Sequence, residues 1–142
     1  MLESYILKDR DIDLGILIYD TEEKLFSFKA NMNLDNDRLL PYLIYPYDKK
    51  NKEYIPIDKA IRLFVQDRVV PEERDDIENI LRRLKLPVYD AWAICKMTRG
   101  MCMEDYMWLA KPGEEFEELH MRYLREHGQD YKVRGIKQLL TS

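Results

Sequence analysis

Cysteine is scarce in this chain, and Cys95 and Cys102 provide no disulfide framework of the kind that small secreted domains use. A reducing compartment is therefore predicted, with the cytoplasm as the expected location. Long hydrophobic runs are also lacking: apolar stretches such as 14–19 are too short to span a bilayer. The first residues include Glu3 and lack the basic-then-apolar order of a signal peptide, so none is expected.

Basic residues are not in excess over acidic ones. The formal net charge is −4, which argues against a general attraction to nucleic acids or anionic membranes, and neither is predicted as a direct partner. The length of 142 residues, with 46% hydrophobic and 35% charged residues, is typical of one folded domain covering residues 1–142.

Residues 1–30 carry alternating and continuous apolar patterns, which predict a small antiparallel sheet of two or three strands. Thr21–Lys24 is a plausible hairpin connection, and Gly15 suggests a bulge in the second strand. Residues 31–56 contain Pro41, Pro46 and Pro56, so an irregular, proline-rich segment is expected to cross the core there.

Residues 57–127 change to a helical period. The pattern predicts a helix from Ile57, a second opened by Pro71, a third over 89–98, a helical turn over 103–109 and a last helix over 114–126. The tail, 128–142, is ambiguous between strand and short helix. The predicted fold class is α+β, with the N-terminal sheet packed against about four helices.

Arg68 and Arg74 flank Pro71 and are the first candidate site. One hypothesis is a paired-guanidinium grip on a partner's carboxylate or phosphate. The favoured interpretation is an internal clamp, in which one arginine holds Asp105 or a backbone carbonyl. On that basis, Arg74→Ala is expected to lower thermal stability.

Trp92 and Trp108 lie among methionines that include Met107. Soft aromatic and methionine surfaces can accept varied partner helices, whereas the simpler interpretation is core filling. Trp92 is expected to be core, and Trp108 with Met107 is the predicted interface edge. The candidate partner-binding residues are therefore Arg68, Arg74, Asp105, Met107 and Trp108.

Other patterns give weaker signals. Cys95, Cys102, His120 and His127 lack the short spacings of zinc fingers, so buried thiols and surface histidines are expected instead of a metal site. The tyrosines and lysines of 42–54 are read as a half-buried crossover with a solvated tip, and the glutamates of 114–118 as a solvated helix start. No phosphate loop and no nucleophile with a partnered base are evident, so no catalytic residue, metal or cofactor is predicted.

Three short motifs follow each other in order over roughly residues 5–112. The first is LKDRDIDL at 7–14, and the third is the segment from Gly100 through Asp105 to Trp108. The second, between them, consists of Arg68, Pro71, Arg74, Ile77, Leu81 and Leu84. Together they resemble short HipA-like proteins of Firmicutes and the N-terminal regions of HipA-like kinases. The polar residues that follow the glycine in that family are here Met101–Glu104.

This resemblance implies a non-catalytic module, because the kinase part of such proteins would lie beyond the matching region. The expected function is a regulatory protein-interaction module, related to mobile elements or toxin–antitoxin systems, with a kinase-like or regulatory protein as partner. The alternative hypothesis is a phage or mobile-element inhibitor of a host defence nuclease, acting through an acidic surface.

Overall fold

The computed structural model describes residues 1–31, 33, 47–48, 53–54, 58–133 and 136. The strands are β1 (Leu2–Asp9), β2 (Ile12–Asp20), β3 (Leu25–Ala30), β4 (Tyr47–Asp48), β5 (Glu53–Tyr54) and β6 (Met107–Ala110). The helices are α1 (Asp58–Asp67), α2 (Ile77–Leu84), α3 (Ala91–Thr98), α4 (Phe116–Leu119) and α5 (Met121–Glu126). An antiparallel sheet at the N-terminus packs with helices that come later in the chain, so the predicted α+β class is confirmed.

The main sheet has four antiparallel strands in the order β3-β2-β1-β6. Thr21–Lys24 joins β2 to β3 as predicted, and the Asp20 carboxylate accepts the backbone N–H groups of Glu22 and Glu23 in that turn. The prediction of a helical turn over 103–109 is wrong at its C-terminal end. Met107–Ala110 is instead a strand that pairs with Ile6–Asp9, and it enlarges the expected two or three strands to four.

Gly15 marks a bulge, as predicted. Leu7 pairs with Gly15 while Lys8 pairs with Asp13, so Leu14 is an extra residue in β2. Gly15 has a φ of +149°, and a Cβ there would lie 2.5 Å from the carbonyl oxygen of Lys29 and 2.6 Å from the Phe28 ring. Only a residue without a side chain fits so close to β3.

The two faces of the sheet have separate partners. Leu7, Leu17 and Phe28 point to the face that packs against α1 and α3, where Ile61, Phe64 and Cys95 join the same core. On the opposite face, the β6 end of the sheet is covered by a second cluster from the C-terminal part of the chain. That cluster contains Met101, Trp108, Ala110, Phe116, Met121 and Ile136.

The helical predictions are confirmed in part. The apolar stripe of α1 buries Ile61, Phe64 and Val65, as its period predicts. The helix predicted to open at Pro71 begins only at Ile77, because residues 72–76 form turns in which Arg74 N–H donates to the Pro71 carbonyl. Gly100 lies in the turn that ends α3, where its N–H donates to the carbonyl of Cys95 at 2.9 Å.

The expected single helix over 114–126 is also wrong. It divides into α4 and α5 at His120, whose extended backbone (φ −69°, ψ 127°) interrupts the helical path. Most of the crossing segment 31–56 and of the tail 128–142 lies outside the described residues. Within the described part, β4 and β5 form a small two-stranded sheet that the sequence did not predict, and no helix is long and apolar enough to cross a membrane.

Candidate functional site

Arg68 follows α1 directly and turns its guanidinium into the protein. Its Nε donates to the Gly100 carbonyl at 2.6 Å, and its two Nη atoms donate to the Asp105 carboxylate at 2.9 and 2.6 Å. Nη2 also donates to the Met107 carbonyl at 3.2 Å. The guanidinium carbon lies 5.2 Å from the centroid of the Phe64 ring. The side chain is 6% exposed, so the internal clamp is confirmed for Arg68.

Asp105 is the acidic half of this clamp. Burial raises the pKa of its carboxyl group, but the hydrogen bonds and positive charge of Arg68, together with the Met107 N–H, outweigh that effect and hold the pKa below its ordinary value. The Met107 N–H donates to Oδ1 at 2.9 Å, and so the same carboxylate fixes the first residue of β6. The clamp therefore ties the end of α1 to the strand that completes the sheet.

Arg74 is not part of the clamp. Its side chain is 48% exposed, and its Nε lies 2.7 Å from the carboxylate of Asp76, two residues along the chain. The paired grip by Arg68 and Arg74 is contradicted, because Arg68 is buried in bonds to its own chain while Arg74 remains at the surface. We therefore expect the loss of stability from a change at Arg68, and little loss from Arg74→Ala.

The prediction that Trp108 forms an exposed edge is wrong. Trp108 is 0% exposed, and its Nε1 donates to the Arg10 carbonyl at 2.7 Å. Met107 is partly buried against the first core, and its carbonyl accepts from Arg68 and bonds to His120. Trp92 is 7% exposed and lies in the core, as predicted. Arg68, Asp105, Met107 and Trp108 therefore hold the fold together.

His120 was expected at the surface and is 0% exposed instead. Its Nε2 lies 3.1 Å from the Met107 carbonyl, and its Nδ1 accepts the N–H of Arg122 at 3.2 Å. Burial lowers the pKa of His120 to about 4, despite the opposite effects of the Met107 carbonyl and Asp105. A neutral imidazole with Nε2 protonated satisfies both bonds and joins the break between α4 and α5 to β6. His127, by contrast, is exposed as expected.

The thiols and carboxylates give little chemistry. Both cysteines are free; burial raises the pKa of Cys95 to about 12 and also raises that of Cys102. Within the described residues, no group of three or more histidine, cysteine or acidic side chains could hold a metal ion. Glu115, Glu117 and Glu118 are exposed as predicted, whereas Glu114 makes a two-point ion pair with Arg99 at 2.6 and 3.1 Å.

Among the residues that the structure describes, three apolar side chains of the sheet are exposed on the face that carries the second cluster. The pairing register puts Leu2, Asp20 and Leu25 in one cross-strand row, and Ile16 two rows away on the same side. Leu2 is 64%, Leu25 51% and Ile16 39% exposed. We call this area the open sheet face. Strand alternation could have indicated it, because residues 2, 16 and 25 alternate with the core-facing positions.

A cavity of about 290 Å³ opens on the other side of the sheet, where β2 and β3 meet α1 and the start of α3. Tyr19, Phe26 and Trp92 form its aromatic part, and their ring centroids lie 4.6 to 5.8 Å apart. Sequence reasoning missed this cavity because its lining residues come from four separate stretches of the chain.

Comparisons with known proteins found nothing similar: no family model, no curated protein and no solved structure matches the chain. The resemblance to HipA-like proteins thus stays a prediction from the three short motifs.

Proposed function

We propose that this chain is a non-catalytic, cytoplasmic protein-interaction module that works beside a kinase-like or regulatory protein. The observation that carries the proposal is the open sheet face. Leu2, Ile16 and Leu25 expose apolar side chains on one side of the antiparallel sheet, and Ile16 pairs with Ile6, which packs against the second cluster. Exposed apolar area of this kind is typical of protein contact surfaces.

The composition of the open sheet face favours a protein over a charged polymer. Ser4, Ile18 and Ser27 form its middle row, and Asp20 and Lys29 balance each other in charge. A mixed surface with apolar anchors and a polar surround resembles the anatomy of protein interfaces. The partner that fits it is a protein with an apolar patch, and this apolar contact should depend little on salt.

The surroundings of the two thiols and of His120 support a non-catalytic function. The raised pKa values of Cys95 and Cys102 keep both thiols protonated, and therefore poor nucleophiles, near neutral pH. Both ring nitrogens of His120 are used in bonds to the backbone. The free thiols also favour a reducing compartment such as the cytoplasm.

A second candidate is the inhibitor of a host defence nuclease. The exposed carboxylates of Glu115, Glu117 and Glu118 favour it, since they could face a basic groove. This function would use electrostatic attraction, and the complex would weaken steeply as salt rises.

The test is capture of partners from the native host with a tagged protein, followed by mass spectrometry, for three forms of the chain. In Leu2→Lys/Leu25→Lys, both new lysines flank Asp20, so the sheet should tolerate them. Leu63→Lys/Val88→Lys is the matched control, because it adds the same charge at residues that are 44% and 67% exposed on other elements.

We expect a protein that the wild type and the control retain at 0.15 and 0.5 M salt, and that the sheet variant loses. Circular dichroism should show that all three forms fold. Retention by the sheet variant, release by 0.5 M salt from the wild type, or recovery of only a nucleotide or metal would each overturn the proposal.

A further inference from the structure

The cavity beside Trp92 has features that the open sheet face does not use. Besides its aromatic part, the cavity is lined by Val65, Gln66, Tyr89 and Ala91, and by the charged residues Arg62, Glu72 and Asp90. Its volume of about 290 Å³ lies at the lower limit of roughly 300–1,000 Å³ for small-molecule pockets. It is therefore suited to one long side chain more than to a dinucleotide or a similar cofactor.

The charged residues that line this cavity, Arg62, Glu72 and Asp90, carry a net negative formal charge. Burial raises the pKa of Tyr89, and the nearby carboxylates of Glu72, Glu73 and Asp90 raise it further, which shows that these carboxylates act on the same phenol. The positive charge of Arg62 is already paired, because its Nε donates to Asp58 Oδ2 at 2.6 Å. A phosphate or carboxylate ligand would therefore meet net repulsion, and a cation would be attracted.

The aromatic part of the cavity already contacts one guanidinium group, that of Arg62. The guanidinium carbon of Arg62 lies 5.2 Å from the centroid of Phe26, at one side of the cavity. Arginine is the cation that most often stacks on aromatic rings in proteins, and its planar group also forms two-point bonds to carboxylates. Both types of group, aromatic rings and the Glu72 and Asp90 carboxylates, line this single concavity.

We propose that this cavity receives an arginine side chain of the protein partner, with Glu72 and Asp90 binding the guanidinium and the aromatic residues binding its stem. The identity of the ligand as part of a protein rests on the proposed function. The cavity opens on the helix-covered side of the sheet, whereas the open sheet face lies on the opposite side, so the two can be tested separately.

The test uses blocked tripeptides and the two indole N–H signals in a ¹⁵N-edited NMR spectrum. Ac-Gly-Arg-Gly-NH₂ is the probe, and Ac-Gly-Cit-Gly-NH₂, with uncharged citrulline, is its near-isosteric control. The Trp92 indole belongs to a cavity residue and donates to Glu3 at 3.1 Å, whereas the Trp108 indole is buried in the other cluster and serves as an internal reference.

We expect a saturable shift of the Trp92 signal with the arginine peptide, with a dissociation constant on the order of 1 mM, and little shift with citrulline. Glu72→Gln and Asp90→Asn should each weaken binding about threefold to tenfold. Asparagine is a good N-cap, so Asp90→Asn preserves the start of α3, where Asp90 accepts the N–H of Ala93. Glu78→Gln, an exposed position outside the cavity, should bind like the wild type.

Absence of a Trp92 shift, an equal shift with citrulline, or unchanged affinity in both carboxylate variants would overturn this inference. Binding of the arginine peptide without capture of any host protein would retain the cavity assignment and refute the proposed function. Capture of a host protein that depends on Leu2 and Leu25, without binding of the arginine peptide, would support the proposed function and refute the cavity assignment.

Discussion

Replacing Arg68 by methionine should be among the most damaging single changes in this chain. Methionine keeps an unbranched apolar stem but removes all four donated hydrogen bonds, to Gly100, Asp105 and Met107. Breaking a buried ion pair by removing one partner costs about 3–5 kcal/mol. Asp105 is 32% exposed and can recover some hydration, so we expect the lower end, about 3 kcal/mol.

The assay is a double-mutant cycle in which circular dichroism monitors unfolding by urea. In thermal unfolding of a chain of this size, a loss of about 3 kcal/mol corresponds to a fall of roughly 10 °C in Tm. Asp105→Asn alone should cost about 2 kcal/mol, and the two changes together should cost less than their sum by about 2 kcal/mol, because they remove the same interaction.

Arg74→Met is the control for this cycle. Its side chain is 48% exposed and pairs with Asp76 at the surface, so its loss should cost no more than about 0.5 kcal/mol. Equal destabilisation by Arg68→Met and Arg74→Met would refute the clamp. A coupling of less than about 0.5 kcal/mol between Arg68 and Asp105 would refute it too.

Two other predictions concern a protonation and a bulge. In the folded protein the pKa of His120 is about 4, below its ordinary 6.5, because the buried ring resists protonation. The contribution of neutral His120 to the free energy of unfolding is therefore complete above about pH 6.5 and is lost as pH falls towards 4. Urea titrations at pH 7 and pH 5 should therefore differ by about 2 kcal/mol in the wild type and by much less in His120→Gln; the same difference in both would exclude His120 as the cause. Gly15→Ala should destabilise by about 2–4 kcal/mol, since its Cβ would collide with Lys29 and Phe28. Gly128 also has a positive φ, but no described atom lies within 4 Å of a Cβ added there, so Gly128→Ala should cost only about 1 kcal/mol. Equal falls in Tm for Gly15→Ala and Gly128→Ala would contradict the steric explanation.

The sequence predicted elements whose signal is local. Strand alternation located β1, β2 and β3, and the helical period located α1, because these patterns persist over six to ten residues. β6 was missed for the opposite reason. Four apolar residues, Met107–Ala110, suit a helix or a strand equally, and their pairing with β1, about 100 residues earlier, decides the outcome.

The candidate site shows the same limit. Residue type favoured a clamp between one of the two arginines and Asp105 or a backbone carbonyl, since a buried charge needs a partner, but it did not indicate which arginine. The burial of Trp108 and His120 could not, because both depend on a second layer over the β6 end of the sheet. The sequence predicted a sheet packed against about four helices but no second cluster over its β6 end, and Trp108 was expected at the surface.

The pairing of β6 with β1 also has a consequence for synthesis on the ribosome. β1 leaves the ribosome well before β6, so one of its edges stays without its partner strand until Met107–Ala110 follows. At about 5–20 residues per second, that interval lasts several seconds. During it, the β1–β3 part presents a strand edge without its partner and one apolar face, and both features favour aggregation or chaperone binding. The synthesis of β6 therefore covers this edge of the sheet, while the face beside it still awaits Phe116, Met121 and Ile136.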